Sequence, residues 1–186
     1  MPTALKLRYY GDPVLRKTAR PVKGVGPAER LIIREMIRAM YDFDGSGLAA
    51  PQVGIDDQIF VADAGDGPFA MINPEIIRVQ PKETFLEEGC LSLPGIRINV
   101  KRPEAVSVRY LDDTGRVIER DLTGLMAKIF QHEGDHLFGR MIIDYASPAE
   151  REKFKVQLAK LEALSAVRVP AMAGKASLSG TPRKQA

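Results

Sequence analysis

The 186-residue chain contains a single cysteine, Cys90. An intrachain disulfide is therefore excluded, and a reducing, cytoplasmic location is expected. Only two histidines are present, His132 and His136, so any histidine chemistry must use that pair. No apolar run approaches the roughly 18 residues of a membrane helix, so no membrane span is expected. Met1 to Tyr10 lacks both an apolar block of signal-peptide length and an Arg/Ser-rich transit pattern, and no export signal is expected. Disorder as a global description is excluded, because 45% hydrophobic and 27% charged residues lie near the globular average.

A strong charge of one sign is lacking too. The formal charge is +3, and it is unevenly placed. Arg168, Lys175, Arg183 and Lys184 lie near the C-terminus with no acid among them, leaving 23 basic against 24 acidic residues elsewhere. A nearly neutral body argues against specific DNA binding by the folded part. The basic end leaves room for an electrostatic contact with RNA or another polyanion.

Patterning gives one α+β domain over residues 1–166, followed by a basic, disordered tail at 167–186. Asp12-Pro13 is set to cap a short helical turn. Pro27 opens a helix to about Phe43, with Ile32, Ile33, Met36, Ile37, Met40 and Tyr41 at helical spacing. Gly45 and Gly47 end it and begin a Gly/Ala/Pro loop to Gly54. Short strands are expected at Ile59–Ala62, Phe69–Ile72 and Ile76–Val79, the last two separated by a bend at Asn73-Pro74. Thr84 to Leu93 reads as extended and holds Cys90. Ile96, Ile98 and Val100 alternate with Arg97, Asn99 and Lys101, and Val106, Val108 and Tyr110 repeat the period of two. Asp112-Asp113-Thr114-Gly115 signals a hairpin turn, with Val117 to Leu122 as the return strand. Helices are expected at Gly124–Phe138 and from Ser147-Pro148 to about Ala166.

Chemistry concentrates at Gln131-His132-Glu133-Gly134-Asp135-His136. Helical residues four apart share a face, so both imidazoles can converge on one ion. The Glu after the first His then lies beside that ion and can hold a water that the ion polarises. A catalytic ion takes three protein ligands and an open position. The third can come from a downstream carboxylate (Asp144, Glu150, Glu152 or Glu162), which would make a zincin-type metallopeptidase. It can also come from Cys90, whose thiolate is a strong ligand for Zn²⁺ or Fe²⁺.

Three motifs in order resemble those of the peptide deformylases. Gly45-Ser46-Gly47-Leu48-Ala49-Ala50-Pro51-Gln52 matches GxGLAAPQ, Glu88-Gly89-Cys90-Leu91-Ser92 matches EGCLS, and Gln131 to Leu137 matches QHExDHL. The likeness runs from about Tyr10 to about Ala166. It implies antiparallel sheets packed around a central metal-binding helix carrying HEGDH, with a C-terminal helix. It implies Cys90, His132 and His136 as ligands and Glu133 as general base. The implied reaction is hydrolysis of the N-formyl group from formyl-methionyl nascent peptides, releasing formate. The implied ion is Fe²⁺, with Zn²⁺ or another divalent ion able to replace it. Two departures stand out. Ser46 occupies a position that is often aliphatic, and Gly134 lies inside the helix, where it costs about 0.5–1 kcal/mol relative to Ala.

That reaction needs oxyanion donors besides the ion. Gln52 offers a side-chain amide and Leu91 a backbone N–H, and the family uses both positions this way. Leu125 and Ile129 share the His132 face of the helix, and Leu86 flanks the Cys90 strand, so these three are expected to line a pocket for the first side chain. Gly47 and Gly89 are expected to let the substrate backbone approach as an added strand. Asp135 and Glu88 are candidates to fix the ligands. The helix from Pro148 and the basic tail are expected to contact the ribosome.

Overall fold

The computed structural model describes residues 5–168. Seven strands and three α-helices form two antiparallel sheets: a five-stranded sheet in the order β1-β2-β3-β6-β7 and a separate β4-β5 pair. The strands are β1 Gly47–Ala49, β2 Ile59–Ala62, β3 Phe69–Val79, β4 Glu83–Gly89, β5 Arg97–Pro103, β6 Ala105–Leu111 and β7 Val117–Thr123. The helices are α1 Pro27–Asp42, α2 Gly124–Leu137 and α3 Pro148–Arg168. The expected α+β class is what the chain adopts.

The large sheet is buried on both faces, and β2 shows how. Alternate side chains point to opposite sides of a strand. Phe60 and Ala62 join Met71, Val106, Val108 and Leu122 against Ala127, Phe130 and Leu137 of α2. Ile59 and Val61 point the other way, with Leu48, Ala70 and Ile72, against Ile33, Met36 and Met40 of α1. Phe60 meets Phe130 edge-on at 5.4 Å. Full burial of such side chains contributes roughly 1.5–3 kcal/mol each. A third cluster lies beneath β5, where Ile98 and Val100 pack with Leu93, Ile96, Ile142 and Ile143 and with Leu158 and Leu161 of α3. The metal-ligand helix is therefore clamped between the two sheets.

Local signals act as their chemistry requires. Asp12 accepts the Val14 N–H at 3.0 Å and caps a 3₁₀ turn at Pro13–Arg16. Glu29 reaches back to the Gly26 N–H at 2.7 Å at the start of α1. Ser147 and Glu150 cap α3 reciprocally, through the Ser147 N–H to Glu150 at 2.8 Å and the Glu150 N–H to Ser147 Oγ at 3.2 Å. The end of α1 differs in detail from expectation. The left-handed residue is Asp44, φ 56°, not a glycine. Its N–H donates to the Tyr41 carbonyl and that of Gly45 to Met40, which closes the helix and aims the next residues at the metal site.

Two boundaries also differ. Asn73-Pro74 does not separate two strands; β3 runs through it with register shifts. Asn73 takes φ 50°, which asparagine tolerates, and its amide both accepts from Val22 N–H and donates to Val22 O at 2.8 Å. The bulge is thus held from outside the sheet. The extended segment holding Cys90 is a strand only as far as Gly89. Helix α3 reaches Arg168, past the expected domain end at 166, and the remaining tail lies outside the described residues.

Candidate metal centre

Three elements bring the candidate ligands together. Cys90 leaves the end of β4, and His132 and His136 project from successive turns of α2. One ligand atom from each lies within 4.8 Å of the others, the one such group among the described residues. Cys90 Sγ stands 3.2 Å from His136 Nε2. The imidazole rings lie 5.2 Å apart, nearly edge to face.

The surroundings decide which nitrogen of His132 is available. Its Nδ1 lies 2.8 Å from Glu88 Oε2. A carboxylate accepts, so Nδ1 carries the proton and Nε2 keeps its lone pair for an ion. Glu88 is itself held by Arg102, through Nε at 2.6 Å and Nη2 at 2.9 Å. Arg102 Nη1 donates to Asp135 at 2.9 Å, and Tyr145 OH donates to the same oxygen at 2.7 Å. The Arg102 guanidinium also lies 5.1 Å over the Tyr145 ring. Burial raises the Glu88 carboxyl, but hydrogen bonds from His132 and Arg102 and the Arg102 charge outweigh it, holding Glu88 at about 2. Glu88 and Asp135, expected to fix the ligands, are both in this network. Arg102 was not foreseen, although it continues the inward phase of Ile98 and Val100 on β5.

The pocket favours positive charge at the ligands. Burial opposes protonation of His132, yet bonds to Cys90 and Glu88 and the charges of Glu133 and Cys90 push it well above the ordinary imidazole range. Burial, aided by the charge of His132, keeps His136 neutral, the form that ligates. One thiolate and two imidazoles fit a Zn²⁺- or Fe²⁺-type ion with one position left open.

Glu133 is 4% exposed, and its Oε2 has no hydrogen-bond partner. Burial is the main reason its carboxyl rises to about 7, with the His132 charge opposing. Gln52 is almost fully buried. Its Oε1 accepts the Ala49 N–H at 2.8 Å, and its Nε2 donates to Ser92 Oγ at 3.3 Å and points to Cys90 Sγ at 3.6 Å. A cleft of about 470 Å³ opens beside these groups. Gly47, Gly89, Leu86, Leu125 and Ile129, with Leu91, all line it. A side chain at Gly89 would meet nothing closer than Arg97 Nη1 at 3.8 Å, so the strand edge there is open. Lys128 lines the cleft as well and was missed, because its charge hides its place on the stripe.

The downstream carboxylates are occupied elsewhere. Asp144 pairs with Arg16 at 2.6 Å, Glu150 caps α3, and Glu152 bonds Lys155 at 3.2 Å. No second carboxylate ligand joins the histidines among the described residues, and the metallopeptidase alternative falls.

Fold and site define a metal-dependent hydrolase with a Cys-His-His centre on an α+β frame. The family model described as polypeptide deformylase matches residues 4–152. The chain is 49% identical over 146 residues to a peptide deformylase of Thermotoga maritima, covering 78% of this chain and 89% of that one. Its fold is similar to the crystal structure of the peptide deformylase from that organism, with TM-score 0.76 over 77% of this chain and 98% of that chain at 48% identity. It also resembles a peptide deformylase from Synechococcus elongatus in complex with actinonin, with TM-score 0.77 and 40% identity over 89% and 87% of the two chains. The chain belongs to the polypeptide deformylase family. It is a hydrolase that removes the formyl group from nascent polypeptides. No helix among the described residues is long and apolar enough to cross a membrane.

Proposed function

We propose that Cys90, His132 and His136 hold one divalent cation, Fe²⁺ in the cell, and that the substrate is a nascent peptide beginning with formyl-methionine. The convergence of the three ligand atoms within 4.8 Å carries this reading. When bound, the cation supplies Lewis-acid polarisation of the formyl oxygen and acidifies water in its open position.

The remaining work falls to the chain. Glu133 takes a proton from the attacking water and returns it to the leaving amine nitrogen. Its position near 7 suits both transfers at neutral pH. The Gln52 amide and the Leu91 N–H steady the charge developing on the formyl oxygen, each contributing roughly 10²- to 10³-fold on the scale of a lost oxyanion donor. Leu86, Leu125 and Ile129 receive the methionine side chain. The open backbone at Gly47 and Gly89 accepts the peptide as an added strand. Glu88, tied to Arg102, fixes the tautomer of His132.

Residues 1–166 form the catalytic domain in this reading, working in the cytoplasm, and the helix from Pro148 with the basic tail touches the ribosome. Removing residues 166–186 should weaken co-sedimentation with ribosomes at low salt; unchanged binding refutes that contact. The catalytic proposal is tested by formate release from a formyl-methionyl peptide, with metal content measured on the same sample. Glu133→Ala should keep the ion and lose turnover, whereas Cys90→Ala should lose the ion. A Cys90→Ala protein that retains metal and activity overturns the ligand set.

A further inference from the structure

Leu125, Lys128, Ile129 and His132 all face the cleft from α2. Their spacing of three, four and seven is a single stripe of a helix. Three of the four suit an apolar pocket beside a ligand. Lys128 does not: it is a charged residue only 6% exposed. Among the described residues its hydrogen-bond partner is the Thr84 carbonyl, 3.3 Å from Nζ. Thr84 lies on β4 two residues from Leu86, which lines the same cleft. The methylene stem thus extends the apolar wall, while a cationic head is held near its edge.

We propose that Lys128 sets which first side chain the cleft accepts, favouring one of methionine length that ends in a hydrogen-bond acceptor, with N-formyl methionine sulfoxide as the substrate class. This rests on the deformylase reading of the site. An ammonium has three protons to donate, and one fixed carbonyl leaves capacity for more. Water completes it while the cleft is open. A straight apolar chain displaces that water and returns no acceptor. A thioether sulfur accepts weakly, and a sulfoxide oxygen accepts strongly. Leaving a buried donor without a partner costs more than an ordinary hydrogen bond contributes, so a pocket built around a polar group discriminates against ligands that lack its complement.

The test compares kcat/KM for formate release from three peptides differing only in the first residue: formyl-methionyl, formyl-methionine sulfoxide and formyl-norleucyl. The metal-loaded wild type and Lys128→Met, which keeps the stem and removes the charge, are assayed side by side. The sulfoxide-to-norleucine ratio should be at least about tenfold higher in the wild type, the scale of one hydrogen bond to a charged group. An equal ratio in the two proteins overturns the inference. So does a wild type that prefers norleucine over the sulfoxide, a result that needs no variant and stands even if Lys128→Met does not fold. Absent turnover of formyl-methionyl peptide by the metal-loaded wild type counts instead against the deformylase reading.

Discussion

The glycine at position 47 makes room for Glu133. A Cβ built on Gly47 would stand 2.8 Å from Glu133 Cδ and 2.9 Å from its Cγ, with Oε1 nearer still. The smallest side chain therefore collides with the proposed general base, which is buried and has no free direction to retreat. Gly47→Ala should displace that carboxylate by a fraction of an ångström to an ångström. Misplacement on that scale costs on the order of 10²-fold in rate. The variant should bind metal normally, because Gly47 touches none of the three ligands. Near-wild-type kcat with a normal metal content would show that Glu133 tolerates the shift and is not positioned by this contact.

Arg102 links the two carboxylates that support the metal helix, Glu88 on β4 and Asp135 on α2. Its side chain is 5% exposed. Removing it strands two buried carboxylates, a change that costs about 3–5 kcal/mol when one partner of a buried pair is lost. Loosening Glu88 also loosens His132, and losses of such supporting partners lower metal affinity by roughly 10- to 100-fold. Arg102→Met should therefore shift the urea midpoint downward and release metal faster to a chelator. Lysine cannot form both arms of the fork, so Arg102→Lys should recover little. Full recovery by lysine would mean that charge alone, without the bidentate geometry, suffices.

Much of this site was readable from the chain because its signals are local. The i,i+4 histidines with Glu133, the motif around Cys90, and the leucine and isoleucine stripe on α2 depend only on helical and strand periods. What escaped detection depends on partners distant in sequence. Arg102 reads as one more surface cation until β5 is seen to pack inward, where Ile98, Val100 and Arg102 share a side. Lys128 is hidden in the same way by its charge. Asn73-Pro74 looks like a stop, and only the two bonds to Val22, 51 residues away, turn it into a bulge inside a continuous strand. The separation of β4-β5 from the larger sheet is a pairing choice, which period-two patterns do not encode.

Acid should act on the Glu88 pair in a defined window. The carboxyl is held at about 2 in the folded chain against an ordinary 4.5. A depressed carboxylate contributes stability that is fully present above the unfolded value and is lost as pH falls toward the folded one. The contribution is on the order of 3 kcal/mol, and it should disappear between about pH 4.5 and pH 2. Urea unfolding of the metal-stripped protein across that range should show a steeper loss of stability in the wild type than in Glu88→Gln. Parallel curves would place the acid sensitivity on other groups.

Gly134 lies between the two ligand turns of α2, yet nothing comes within 4 Å of a Cβ built there. It therefore contrasts with Gly47, where space is the reason for glycine. A helical glycine is less favourable than alanine by about 0.5–1 kcal/mol, mainly through the freedom it retains in the unfolded chain. Gly134→Ala should raise the urea midpoint by that amount. It should leave metal content and formate release as they are, because the added methyl faces away from the ligands and from Glu133. A loss of stability would show that the glycine serves a backbone adjustment in the helix, and a loss of turnover at normal metal content would show that the turn between His132 and His136 must flex during the reaction.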